Sequence, residues 1–381
     1  MYNKTTKELL PEADGNIAMM RNTILEYKKY RPDDMFFVLL PAELSDSDKM
    51  CAILPNGTIN AAPIFYNNYV VSARINRFNF PLGEFSEILR NKKINLIIND
   101  VIELTSNFQQ MFNIEFGYKP KIISNIRHLD DVINHYYMHR VIDGIHQSDL
   151  VTILSETMRN KLLEQIEEIL GEKHFESKII TFEPSISYDE LYEFHHKTLV
   201  RDLDKVIITF PGRLSKGEEN RTNWDKFGQA IAKLREKRQD FEVYYTDPNN
   251  AQDFNNGIDW IKTIPKDRHQ FLNLLNKTDV VVSLMDIEGF GGISIREALL
   301  MNCLPIIPYV HEYKKMAPDE SYPGYINSPI KVDELALTLD WAISSIKQNN
   351  KIKRYDYNFY GRKFVVEEQF KKILPKIEEM L

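Results

Sequence analysis

Cysteine is nearly absent: Cys51 and Cys303 are the only two in 381 residues. A single pair excludes a disulfide framework and the four-cysteine zinc sites. It points to a reducing, cytoplasmic setting. Long apolar runs are also missing. No stretch reaches the roughly 18 uncharged apolar residues that span a bilayer, so no transmembrane segment is expected. The opening residues MYNKTTKELLPEADGNIAMM carry acids and no unbroken apolar core, so no secretory signal is expected either. An excess of positive charge is lacking as well: 48 Lys and Arg against 55 Asp and Glu leave a formal charge of −7. That excludes indiscriminate polyanion binding but leaves room for a local basic groove. Neither a Gly-x-x-x-x-Gly-Lys-Ser/Thr loop nor a Gly-x-Gly-x-x-Gly turn after a strand occurs. Nothing therefore points to a P-loop kinase or a dehydrogenase.

What is present is an alternation of short β-branched runs with amphipathic stretches, the signature of βαβ units. In the first half, strands are expected at 35–40, 64–73, 94–99, 121–125, 150–154 and 178–182, with helical patterns at 81–91 and 157–170. Pro55-Asn56-Gly57-Thr58 reads as a hairpin turn, which would add an antiparallel element to a mainly parallel sheet. A second series follows Phe182-Glu183-Pro184. It opens with a helix at 188–199 and has strands at 206–210, 241–245, 260–264, 280–284 and 305–309. Its helices are expected at 224–236, 268–277, 295–301 and 332–348, and 358–381 reads as one closing amphipathic helix. Two α/β series of similar size imply two Rossmann-like domains with a cleft between them. Ligands of such sheets bind beyond the carboxyl ends of the strands, so the chemistry belongs in the loops there.

The most informative stretch is 279–305, DVVVSLMDIEGFGGISIREALLMNCLP. A buried strand runs into an acidic, glycine-rich loop that opens directly onto a helix. Gly289, Gly291 and Gly292 let backbone amides approach a ligand closely. The helix starting near Ile293 presents free N–H groups and a positive dipole end, suited to phosphate. Glu288 and Glu297 flank the loop, and carboxylates so near a phosphate site are better suited to sugar hydroxyls. The plain alternative is a tight strand-to-helix turn with solvated acids. A second loop, Phe210-Pro211-Gly212-Arg213-Leu214-Ser215-Lys216-Gly217, follows the first strand of the second series. Arg213 and Lys216 emerge there, and Arg213 can grip a diphosphate with two parallel hydrogen bonds. Arg221 is a further candidate cation before the next helix. Taken alone, this loop reads equally well as a solvated basic turn.

Together these elements resemble the donor-binding half of the GT-B glycosyltransferases, specifically the large retaining family 4. The matching residues are Gly212-Arg213, Glu288-Gly289-Phe290-Gly291, Glu297-Ala298-Leu299 and Cys303-Leu304-Pro305, in that order over roughly residues 200–345. The eight residues between Glu288 and Glu297 are one more than the family's spacing, because of the extra glycine at Gly291-Gly292. Lys216 also stands closer to Arg213 than the family's basic residue does.

The resemblance implies an α/β chain of the GT-B fold. Residues 1–195 would form an acceptor-side Rossmann-like domain and 196–350 a donor domain, with 351–381 crossing back onto the first. It also implies a nucleotide-diphosphate sugar as co-substrate, with no metal and no other cofactor. Arg213 and Lys216 or Arg221 would neutralise the diphosphate as it leaves. Amides of Phe290–Ile293 would bind the phosphates or the sugar, Glu297 the ribose hydroxyls, Glu288 the transferred sugar, and backbone around 263–266 the base. Catalysis would be electrostatic stabilisation of the departing diphosphate, with no obligatory protein nucleophile.

The first half contributes fewer candidates. Gly15, in Asp14-Gly15-Asn16, is similar to the family's loop facing the donor, and it reads equally well as an ordinary helix start capped by Asp14. His128, in Ile126-Arg127-His128-Leu129-Asp130, resembles the cleft histidine that contacts the sugar; Arg127 and Asp130 are acceptor-side candidates. Asp202-Leu203-Asp204 precedes a strand instead of following one, so it is read as a solvated acidic turn and not as a metal site. His135 and His139 share a helix face but lack a third ligand. The acceptor stays open: a polysaccharide, a lipid-linked glycan, a small molecule or modified DNA. The cluster Arg74, Arg77, Phe78, Phe80, Arg90, Lys92 and Lys93 would suit a lipid surface or a DNA backbone, and a solvated face is the simpler reading. Alternatives to a general sugar transferase are a virus-type enzyme acting on hydroxymethylated bases in DNA, and a non-catalytic nucleotide-sugar-binding subunit.

Overall fold

The computed structural model describes residues 15–34, 36–41, 59–64, 86–87, 89–90, 93–126, 135–171, 174–195, 204–211, 222–247, 261–265, 268–285, 292–348 and 357–381. It divides into two compact units. One takes its described residues from 24–183 and 369–381, the other from 15–23 and 184–368.

In the first of these units, β1 (Phe36–Pro41) pairs with β2 (Ile59–Ile64). A four-stranded sheet follows in sequential order, β3 (Leu96–Asn99), β4 (Lys121–Ile126), β5 (Leu150–Ile153) and β6 (Ile179–Thr181). Every one of these pairs is parallel. The expected antiparallel addition is thus corrected: β2 lies parallel to β1, and the turn residues 55–58 fall outside the described residues. Of the strand expected at 64–73 only Ile64 is described, as the last described residue of β2, and 65–85 lie outside the described residues. Crossover helices include His135–Gln147 and Glu156–Leu170. The second is N-capped by Ser155, whose Oγ accepts from Met158 N, and its buried stripe is Met158, Leu162 and Ile166. A helix not anticipated from the sequence, Thr105–Met111, extends as a wider turn through Phe116 and stops at Gly117. There φ is +70°, which only glycine adopts without penalty.

The other unit carries a six-stranded parallel sheet in the order β12-β11-β10-β7-β8-β9. Its strands are β7 (Val206–Phe210), β8 (Phe241–Asp247), β9 (Ile261–Pro265), β10 (Val280–Val282), β11 (Leu304–Pro308) and β12 (Tyr325–Ile326). Every residue of β10 and β11 is buried, as expected of central strands covered on both faces by crossover helices. Helix Trp224–Arg235 buries Trp224, Phe227, Ala230, Ile231 and Leu234, a repeat of three and four residues that makes one apolar stripe. Helix Val332–Gln348 does the same with Leu335, Leu339, Ala342, Ile343 and Ile346.

The closing segment is two helices, not one: Tyr357–Arg362 and Val366–Met380. The break has a specific cause. Val365 forms a parallel bridge with Ile186, with Ile186 N donating to Phe364 O at 3.0 Å and Val366 N to Ile186 O at 2.9 Å. Those backbone groups are committed to a strand-like contact and cannot also continue the helical ladder.

Candidate functional site

Numbered from β7, the six-stranded sheet runs 3-2-1-4-5-6, the doubly wound order that reverses between its first and fourth strands. The reversal falls between β7 and β10, where Ile208 faces Val280 and Thr209 faces Val281. The chain leaves β7 toward one side of the sheet and leaves β10 toward the other. The crevice this opens is where ligands of such sheets bind. The two loops singled out in the sequence start here: 212–221 follows β7, and 286–291 follows β10.

Side chains lock the two strands together at both ends. At the amino end, Asp279 Oδ2 accepts from Ile207 N at 2.9 Å, and the Thr209 and Thr278 hydroxyls meet at 2.7 Å. At the carboxyl end, Asn223 Nδ2 donates to Leu284 O at 2.7 Å. Asn223 closes the loop that follows β7, and Leu284 stands just before the loop that follows β10, so this one hydrogen bond ties both loops at their roots. Asn223 sits at φ +51°, a conformation that asparagine tolerates better than most side chains. Beyond β10, Ser283 Oγ meets Tyr313 OH at 2.7 Å. Burial pushes the Tyr313 hydroxyl up to about 12, against Ser283 and Arg296, so it stays protonated at neutral pH. Under the β7 side an aromatic floor stiffens the site: Trp224 packs on Phe210 at 5.2 Å and on Tyr245 at 5.1 Å.

The helix following the glycine-rich loop is Ile293–Leu300. Gly292 caps it without a side-chain hydrogen bond and is exposed. Among the described residues, a Cβ there would meet only Ser294 Oγ, at 3.9 Å. Two charged residues of this helix point inward. Arg296 is 0% exposed, donates from Nη1 to Pro184 O at 2.8 Å and lies 4.0 Å from the Phe364 ring centroid. That pairing satisfies a buried cation with a carbonyl and an aromatic face.

Glu297 is 2% exposed. Its Oε1 accepts from Arg268 Nη2 at 2.7 Å. Arg268 in turn grips Glu190 through Nε at 3.1 Å and Nη2 at 2.7 Å, and Arg21 Nη1 reaches Glu190 Oε1 at 3.4 Å. The result is an alternating chain of charges, Arg21–Glu190–Arg268–Glu297. Burial raises the Glu297 carboxyl, and Arg268 opposes it without cancelling it. Burial also works to raise Glu190, but the hydrogen bonds and charges of Arg268 and Arg21 outweigh it and hold that carboxyl low.

Among the residues expected at the site, Gly292, Ile293 and Glu297 are brought together on one helix start. Gly15 is the first residue of helix Gly15–Tyr30, which also carries Arg21. Arg213, Lys216, Arg221, Glu288, Gly289, Phe290, Gly291 and His128 lie outside the described residues. The sequence reading missed Arg268, Glu190 and Arg21, whose numbers lie far apart. The signal available was Arg296-Glu297 itself, a charged pair inside the apolar run ISIREALL, which needs buried partners. Among the described residues no group of His, Cys, Asp or Glu side chains is arranged to hold a metal ion. No helix among them is long and apolar enough to cross a membrane.

Two α/β units, one with the doubly wound order, define the class: the chain has the GT-B fold of glycosyltransferases. A glycosyltransferase of Rickettsia africae superposes with a TM-score of 0.62 over 97% of this chain and 96% of its own, at 15% identity. HepE of Anabaena, solved in complex with UDP-glucose, gives a TM-score of 0.62 over 95% and 96% at 12% identity. The N-terminal domain of the Candida albicans trehalose-6-phosphate phosphatase gives 0.65 over 98% and 94% at 9% identity. No protein-family model matches the chain, and no curated protein matches it in sequence.

Proposed function

We propose that the chain is a glycosyltransferase that moves a sugar from a nucleotide-diphosphate donor to a hydroxyl acceptor. The observation that carries the reading is the tie between Asn223 and Leu284 at the sheet's reversal. In sequence, Asn223 closely follows the basic stretch of Arg213, Lys216 and Arg221 and Leu284 closely precedes the glycine-rich stretch of Glu288–Gly291, in a chain of glycosyltransferase fold. Solved neighbours that hold UDP-glucose, or UDP with a sugar, support a nucleotide-sugar donor.

In this reading the donor's diphosphate sits over the start of helix Ile293–Leu300, where first-turn amides and the helix dipole favour negative charge. Arg213 with Lys216 or Arg221 neutralises the charge that develops on the diphosphate as the bond to the sugar breaks. Glu297 holds the ribose hydroxyls, Glu288 and His128 contact the transferred sugar, and Gly15 faces the donor. The acceptor oxygen takes the sugar with retention, and no metal takes part. Residues 1–195 serve the acceptor, 196–350 the donor, and 351–381 return to the first domain; the protein works in the cytoplasm.

The test is thermal unfolding with UDP-, GDP- and ADP-sugars at millimolar concentration, followed by a transfer assay with the stabilising donor. One donor raises Tm by several degrees through preferential binding to the folded state. If none does, the donor site is wrong. Binding without transfer or donor hydrolysis would leave a nucleotide-sugar-binding subunit. Transfer to hydroxymethylated duplex DNA, lost steeply with added salt, would identify the acceptor as DNA.

A further inference from the structure

Four charged side chains from four separate helices meet in one line, half-buried at Arg21, Glu190 and Arg268 and fully buried at Glu297. Arg21 comes from Gly15–Tyr30, Glu190 from Tyr188–His195, Arg268 from Arg268–Lys277 and Glu297 from Ile293–Leu300. Three of these helices begin at segments assigned to the donor. Gly15 opens the first, the segment around 263–266 runs into the third, and Gly292 opens the fourth. Arg268 is the hub, since it contacts both carboxylates and the Glu297 contact uses a single oxygen, Oε1. The two-nitrogen grip on Glu190, which a lysine ammonium cannot reproduce, fixes Arg268 itself for its single bond to Glu297 Oε1. If only stability were at stake, apolar side chains of similar volume would serve as well or better in such a place.

We infer that Arg268 is the positioning residue for the nucleotide site: held by Glu190 and Arg21, it orients Glu297 toward the ribose. This rests on the proposed nucleotide-sugar reading and adds residues to it that do not touch the ligand. Arg268 acts through Glu297, so its effect belongs to recognition of the ribose hydroxyls and not to the diphosphate. A carboxylate in a dry site accepts hydrogen bonds from hydroxyls strongly only while charged and correctly turned.

The experiment uses the full chain and calorimetric titration with UDP, GDP and ADP, and with the 2′-deoxy form of whichever binds. Wild type is expected to favour the ribo form by about tenfold, the equivalent of one good hydrogen bond. Arg268→Lys keeps the charge but loses the fork, and is expected to bring that preference to about twofold or less. Glu190→Gln leaves the Arg268–Glu297 pair in place and should fall between the two; it carries the test if Arg268→Lys does not fold. Arg238→Lys, a surface clamp remote from these residues, should leave the preference unchanged. If Arg268→Lys and Glu190→Gln only lower Tm and keep the tenfold preference, the positioning role is overturned while the nucleotide reading stands. If wild type binds none of the nucleotides, the nucleotide reading and this role fall together; if it binds one without preferring the ribo form, this role falls and the nucleotide reading stands.

Discussion

The carboxyl and amino edges of the six-stranded sheet each carry an arginine clamped by carboxylates, and the two clamps differ in what surrounds them. At the carboxyl edge Arg268 holds Glu297 and Glu190, with Glu297 almost fully enclosed. At the amino edge Arg238 holds Asp240 and Asp340 at 2.7 Å each, Lys347 adds to Asp240, and the Asp340 side chain is 53% exposed. The two arginines are comparably exposed, so the contrast lies in their carboxylates: an ion pair couples strongly where water is excluded, as at Glu297, and weakly where water screens it, as at Asp340. Buried charge is costly to assemble and costly to break. Its place beside the proposed nucleotide site, and not at the opposite edge, is what suggests a recognition role.

The largest expected contrast comes from removing each hub. Arg268→Met leaves two carboxylates without their main partner and should lower the unfolding free energy by about 3–5 kcal/mol. Arg238→Met should lower it by about 1 kcal/mol or less. Urea unfolding of both variants measures the difference, and equal losses would break the comparison. A second contrast lies along the helix that carries Glu297. At its far end, a Cβ on Gly361 would stand 2.5 Å from Leu300 N and 2.8 Å from its Cα, so Gly361→Ala should cost about 1–3 kcal/mol. At the near end a Cβ on Gly292 meets, among the described residues, only Ser294 Oγ at 3.9 Å, so Gly292→Ala should stay within about 0.5 kcal/mol. Thermal unfolding of the pair checks both.

The two edges should also respond to pH with opposite sign. Lys262 holds the Glu242 carboxyl down to about 2, with Lys205 helping against burial. Its contribution is present above the ordinary glutamate range and disappears as pH falls toward about 2. The stability gap between wild type and Glu242→Gln, about 1 kcal/mol or less at neutral pH, should therefore close on acidification. Glu297 is raised by burial despite Arg268. Its ionisation weakens the fold as pH rises above the ordinary range, so the difference between wild type and Glu297→Gln should move in the variant's favour from pH 4 to 7. Urea midpoints across pH that move in the same direction for both variants would contradict this. The smallest effect concerns salt. Arg238→Lys should cost a few tenths of a kcal/mol at low ionic strength and nothing measurable in about 1 M NaCl, where charges are screened within about 3 Å.

Much of the fold was legible because burial repeats locally. The spans 206–210, 268–277 and 332–348 coincide with the observed elements, since each has a period that one segment alone can show. Helix Thr105–Met111 was not legible. Its mixed aromatic and polar residues have no clear period, and its limit is set by the left-handed turn at Gly117. The split at Val365 was hidden as well, because its cause is a backbone pairing with Ile186, far away in sequence. At the candidate site, Glu297 could be singled out from local order, but its burial could not, and the glycine-rich stretch 286–291 lies outside the described residues. Arg268, Glu190 and Arg21 could not be singled out that way.

By itself, then, the sequence determined an acidic α/β chain of two series, with glycines and charges placed after particular strands. Hydrophobic periodicity and backbone permissiveness are properties of neighbouring residues, and they survive without the fold. Only the tertiary structure decided that β7 lies beside β10, that Asn223 meets Leu284, and that charges at positions 21, 190, 268 and 297 join in one line. Strand order and buried ion pairing depend on which distant surfaces exclude water together, and no local pattern records that.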